Sequence, residues 1–243
     1  MGLRLKIIGA LAALFLAAPS QAQDAAVDLA LILAVDVSMS IDEGEAGVQR
    51  IGYIHALRDE RVAEAIRSGP IGRIAITYME WSSIYHQRVV VPWRIVSDLE
   101  SARSFAAELD EAALKSGSTT SISGGIDFAV KLFDECGCEA TRSVIDISGD
   151  GYSDYGRPPS EARDEAIDKG ITINGLAIMN KRAEWKQAAP EDLDKYYRDN
   201  VIGGPGSFYL AVHNLNDFSQ SVLQKLILEI ASNQTAPRQA NNG

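Results

Sequence analysis

The stretch "LILAVDVSMSIDEGE", residues 31–45, decides how the rest of the chain is read. Its first half is an unbroken apolar run of the kind a strand covered on both faces requires. Asp36, Ser38 and Ser40 then follow at alternate positions, so a core strand ends in one carboxylate and two hydroxyls. Two chemistries use such a pattern. Ser40 with Glu43 three residues on forms a capping box for the next helix. Alternatively, the three oxygens are ligands for a hard cation.

Outward from this stretch, apolar runs alternate with helical spacing. Residues 28–36 and 73–81 read as buried strands, and residues 86–93 as an edge strand because Pro92 cannot donate to a ladder. Residues 142–148, 171–179 and 207–212 complete the set. Between them, Val48, Ile51, Ile54, Val62 and Ile66 share one helical face. Ala102, Phe105, Ala106, Leu109 and Ala113 mark a second, and Ile122, Ile126, Ala129, Val130 and Phe133 a third. Phe218, Val222, Leu226 and Ile230 mark the last, over residues 217–231. This alternation predicts an α/β fold, a doubly wound, mostly parallel central sheet with helices on both faces.

In such sheets ligands bind beyond the carboxyl ends of the strands, near the point where strand order reverses. Three strand-end or loop segments carry oxygen donors. Asp36, Ser38 and Ser40 follow the first strand, Asp150 lies between two glycines after residues 142–148, and Thr119 belongs to the hydroxyl-rich "SGSTTSISGG" before the third helix. Carboxylate and hydroxyl oxygens suit Mg²⁺, or Mn²⁺ or Ca²⁺, better than zinc or copper. With few charged ligands the cation keeps Lewis acidity for one further anionic group.

"DVSMS" after a buried strand, "GST" before a helix and "SGDG" after a later strand, in that order, resemble the three parts of the metal-ion-dependent adhesion site of von Willebrand factor type A domains. The resemblance covers roughly residues 27–231. It implies a cation held by Asp36, Ser38, Ser40, Thr119 and Asp150 that accepts an acidic side chain from a partner protein. Met39, Ser118 and Gly149 depart from the family's usual Gly, Gly and Thr or Ser. "EWSS", "VVVPW", "VIDISGDG" and "VIGGPGSFY" further resemble a subgroup of secreted bacterial members whose role is unassigned.

Arg4 and Lys6 precede an apolar run over residues 7–18, and a small-x-small site ends at Ala22. Residues 1–22 therefore read as a secretory signal, too short in its apolar run for a membrane span. The product is expected to be periplasmic or secreted. Removing Arg4 and Lys6 leaves 21 basic against 33 acidic residues and takes the formal charge from −10 to −12. That balance disfavours nucleic acid and anionic membranes as partners, and favours cations or basic groups. Residues 23–232 are read as one von Willebrand A-like domain and residues 233–243 as a disordered tail.

Cys136 and Cys138 admit a local disulfide, an intermolecular bridge or free thiols. Asp154 is read as a solvated loop residue, and Trp81, Trp93 and Trp185 as core. Residues 180–208 form a long connector with a helix near residues 191–200, suited to partner specificity. Catalysis is the weaker expectation. A haloacid-dehalogenase-type site needs a second aspartate where Ser38 stands, and Ser148 lacks the G-x-S-x-G frame. His55, His86 and His213 are scattered. The chain is thus read as a binding module and not an enzyme, with a scaffold carrying a vestigial site, or a metal-dependent hydrolase, as alternatives.

Overall fold

The computed structural model describes residues 24–38, 43–179 and 190–231. The expected signal, Ser40, Trp185 and the expected tail lie outside the described residues. A six-stranded sheet runs in the order β4-β3-β2-β6-β7-β8. Its strands are β2 (Leu29–Asp36), β3 (Ile74–Trp81), β4 (Gln87–Val96), β6 (Ser143–Gly149), β7 (Ile171–Ile178) and β8 (Tyr209–Val212). All pairings are parallel except that of β3 with β4. A separate parallel pair joins β1 (Ala25–Val27) to β5 (Cys138–Ala140).

Period-two alternation along β2 builds two cores. Leu29, Leu31, Leu33 and Val35 face one side with α1 (Glu43–Arg58), α2 (Glu60–Arg67), α3 (Leu99–Glu111) and α7 (Phe218–Ala231). Ile32 and Ala34 face the other side with α4 (Ile122–Leu132), α5 (Pro159–Asp168) and α6 (Leu193–Tyr196). Every residue of β2 is buried, as the continuous apolar run requires. The doubly wound architecture read from the sequence is the one observed.

Several details differ from the sequence reading. The apolar period over residues 48–66 runs through two helices, not one. Asp59 ends α1 and caps α2, its carboxylate accepting from the Arg61 amide at 2.9 Å. Helix α3 stops at Glu111, before Ala113. The helix expected near residues 191–200 is one turn, α6, followed by a π-helical turn at Tyr197–Val201. Pro92 does lie on the edge strand, beside a register shift opposite Ile76 and Tyr78. Cys136 and Cys138 form a local disulfide around Gly137, whose φ of +60° lets the chain turn tightly.

The chain leaves β2 towards β3 and β4 on one side, and reaches β6, β7 and β8 on the other. Strand order therefore reverses at the β2–β6 boundary, which opens a crevice at their carboxyl ends. Asp36 ends β2 and Asp150 follows β6, so the two carboxylates stand on either side of that crevice.

Candidate metal centre

Asp36 and Asp150 are 1% and 4% exposed, and Ser38 is 1% exposed. Buried carboxylates without a cation are costly, so their partners matter. Asp36 Oδ1 accepts from the Ser38 amide at 2.8 Å. Asp36 Oδ2 is buried and has no hydrogen-bond partner among the described residues. Burial, then the negative charge of Asp150, pushes Asp36 well above the usual carboxylate range. Hydrogen bonding from Ser38 opposes this, and Asp154 adds to it. No cationic side chain stands among these principal influences.

Backbone hydrogen bonds lace the three loops together. Val37 donates to Trp81 O at 2.9 Å and accepts from Gly117 N–H at 2.7 Å, which ties the first loop to the second. The Thr120 amide donates to Asp154 Oδ1 at 2.8 Å, and Thr120 O accepts from the Asp154 amide at 2.9 Å, which ties the second loop to the third. Thr119, half-buried, lies between these two ties. The structure thus brings Asp36, Ser38 and Asp150 to one strand-end crevice and holds the Thr119 loop beside it. Asp154, read from the sequence as a solvated residue, is exposed but fixes the loop that carries Thr119.

A second buried network braces that loop. Glu80, 1% exposed, pairs with Arg50, which also donates to Ala112 O at 2.5 Å. The Arg88 side chain reaches Glu80 Oε2 at 2.6 Å and Ala113 O at 2.7 Å. Both arginines therefore hold the backbone entering the 113–121 loop while neutralising one carboxylate. A lone apolar-flanked glutamate in "YMEW" gives no sign of this role, because Arg50 is 30 residues away and Arg88 meets it only through the pairing of β3 with β4.

A family model described as "Protein of unknown function (DUF1194)" matches residues 26–234. The chain belongs to the DUF1194 family. No curated protein matches it. Among solved structures this DUF1194 chain is similar to proximal thread matrix protein 1 from the mussel byssus, with 17% identity and a TM-score of 0.60 over 86% of this chain and 49% of that one. A second structure of the mussel protein has a zinc-occupied metal-ion-dependent adhesion motif (17% identity, TM-score 0.57, covering 86% and 50%). The pilus adhesin SpaC of Lactobacillus rhamnosus GG matches at 13% identity and TM-score 0.60, covering 85% and 30%. A von Willebrand factor type A protein from Catenulispora acidiphila matches at 12% and 0.56, covering 84% and 42%. The chain spans about half or less of the length of each. At these identities the likeness is one of fold, and the fold is that of a von Willebrand A domain.

The donor set of this DUF1194 site suits a hard cation. The unpartnered Asp36 Oδ2, the adjacent Asp150 carboxylate and the Ser38 and Thr119 hydroxyls are all oxygens. No group of three or more His, Cys, Asp or Glu side chains fit to hold a metal occurs among the described residues. A cation here would therefore depend on hydroxyl ligands as well as its two carboxylates. Two carboxylates balance the formal charge of a divalent ion, and neutral hydroxyl ligands would leave it Lewis acidity for one more anionic ligand. Sequence reasoning also missed Tyr197, which is fully buried with its hydroxyl unpartnered among the described residues. Its position depends on a π-helical turn that no local pattern announces.

Proposed function

We propose that this chain is a divalent-cation-dependent protein-binding module. Asp36, Ser38, Ser40, Thr119 and Asp150 hold Mg²⁺, or Mn²⁺ or Ca²⁺, and the open coordination position accepts a carboxylate from a partner protein. The observation that carries the reading is the pair Asp36 and Asp150: two buried acids at the crevice, with Asp36 Oδ2 unpartnered among the described residues and Asp36 held above its ordinary range by burial and then by the charge of Asp150. A cation between them removes the repulsion and satisfies the free oxygen. The zinc-occupied motif of the mussel protein, on the same fold, supports the same assignment.

Residues 1–22 direct the chain to the periplasm or the exterior, where the domain of residues 23–232 acts by binding and not by catalysis. Among the described residues no helix is long and apolar enough to cross a membrane. The test is retention of partners from a periplasmic extract in Mg²⁺ and in chelator, with wild type and Asp36→Ala. The reading expects proteins held only by the wild type in Mg²⁺. The same proteins held in every arm would contradict metal-bridged recognition.

A further inference from the structure

Thr119 follows an irregular run in which residues 113–116 and Ser118 are exposed. A hydroxyl offered to a metal from a slack loop must be ordered as the metal binds, and that ordering is taken from the affinity. What orders Thr119 beforehand therefore decides how well it can serve.

Four hydrogen bonds join the residues just after Thr119 to Ser153–Tyr155 of the third loop. The Thr120 amide donates to Asp154 Oδ1 at 2.8 Å, and the Asp154 and Tyr155 amides donate back to Thr120 O at 2.9 and 3.2 Å. The Ile122 amide, at the start of α4, donates to Ser153 Oγ at 3.2 Å. Gly156 lets the two segments close up. Its φ is +99°, and a Cβ there would stand 2.7 Å from Ser121 Oγ and 2.9 Å from Ser123 Oγ. On the other side of Thr119, the Gly117 amide donates to Val37 O at 2.7 Å.

Asp154 grips Thr120 through both its backbone and its side chain, and the bond from the amide to its carboxylate is of the stronger, charge-assisted kind. Its charge also acts on Asp36, which sets it on the rim of the same crevice. It stands four residues after Asp150, so the clasp joins two candidate ligands from separate loops.

We propose that Asp154 is a positioning residue of the cation site, fixing the Thr120 peptide so that Thr119 is presented to the metal in one orientation, without being a ligand itself. The inference rests on the cation reading above. With Gly117 tied to the first loop and Thr120 to the third, Thr119 is ordered before the metal arrives. Removing groups that orient a ligand in this way typically costs roughly ten- to a hundredfold in metal affinity.

The test compares Asp154→Ala with Asp154→Asn by calorimetric titration with Mg²⁺, and by thermal unfolding and amide exchange in chelator. Asparagine keeps an oxygen that accepts from the Thr120 amide but loses the charge. The Mg²⁺ Kd is expected to weaken roughly tenfold or more in Asp154→Ala, and Asp154→Asn to recover most of that loss. Exchange of the Thr120 amide should quicken in the alanine variant and stay slow in the asparagine one. A wild-type Kd in Asp154→Ala overturns the assignment, and if its unfolding midpoint has fallen, Asp154 is merely structural. Asparagine as weak as alanine also overturns it, because the charge itself then acts on the ion. Failure of the underlying reading looks different: wild type gives no heat with Mg²⁺, Mn²⁺ or Ca²⁺ while the exchange contrast between the variants persists, and both ideas fall.

Discussion

Lys225 Nζ and Asp146 Oδ1 meet at 2.5 Å, each side chain 1% exposed, so the last helix is tied to the middle of a central strand by a buried ion pair. Glu229 completes the cluster, accepting from Lys225 Nζ at 2.5 Å and from Asn174 Nδ2 at 3.1 Å. Two carboxylates share one ammonium there. Burial and the charge of Asp146 push Glu229 up to about 7. Asp146 is also raised, chiefly by burial, against the pull of Lys225.

Stability in chelator should fall as pH rises. A carboxyl lifted from its ordinary 4.5 to about 7 binds more protons in the folded chain than in the unfolded one across that window. Its contribution is complete below about 4.5 and lost as pH climbs through about 7, with a ceiling of roughly 3 kcal/mol. Asp146 acts in the same direction. Thermal unfolding between pH 5 and pH 8 checks this: the wild-type midpoint declines, and Glu229→Gln declines less. A midpoint that rises over that range would refute the assignment.

Lys225→Met should be among the most damaging single changes in α7. It takes from the buried Asp146 and Glu229 the ammonium they share, and breaking a buried pair from one side costs about 3–5 kcal/mol. Urea unfolding measures the loss. Adding Asp146→Asn and Glu229→Gln should recover part of it, since the stranded charges are then removed.

Glu80→Ala should both destabilise the fold and loosen the loop that carries Thr119. Arg50, 6% exposed, loses its carboxylate, and the hold on Ala112 and Ala113 slackens. The expected cost is about 3–5 kcal/mol, with faster amide exchange over residues 112–120. Arg88→Ala should cost less, because Arg88 is 24% exposed and Arg50 still pairs with Glu80.

These sites differ in how far they could be read in advance. The β2 run and the acids at the ends of β2 and β6 are local patterns: burial on both faces writes an apolar strand, and the oxygen-bearing residues follow at short spacing where the strand ends. The break at Asp59 is also local, an acid before "ERVAEAIR", but the apolar period across it hides the cap. Lys225 and Glu229 lie among the apolar residues of α7, and only Asp146, far away in sequence, explains why charges are buried there. Tyr197 is the extreme case, since only the fold sets its buried hydroxyl beside Gly149 and Asp36.

Gly149→Ala and Tyr197→Phe should not be additive. The alanine methyl meets the Tyr197 hydroxyl at 2.8 Å, closer than real contacts allow, and overpacking of this kind costs about 1–3 kcal/mol. Removing the hydroxyl in the double variant relieves that contact, so the pair should be more stable than the sum of the single losses implies. Chemical unfolding of the three variants in chelator measures the coupling. Strict additivity would place the hydroxyl elsewhere.

The central claim is that Asp36 and Asp150 jointly hold a divalent cation, and calorimetric titration of Mg²⁺ into wild type, Asp36→Asn and Asp150→Asn addresses it most directly. The account predicts one saturable site in wild type, accompanied by a rise in unfolding midpoint that grows with Mg²⁺ concentration. Both asparagine variants should fold and show neither response. Mg²⁺ binding of wild-type strength in the two variants, or no binding by wild type to Mg²⁺, Mn²⁺ or Ca²⁺, would contradict it.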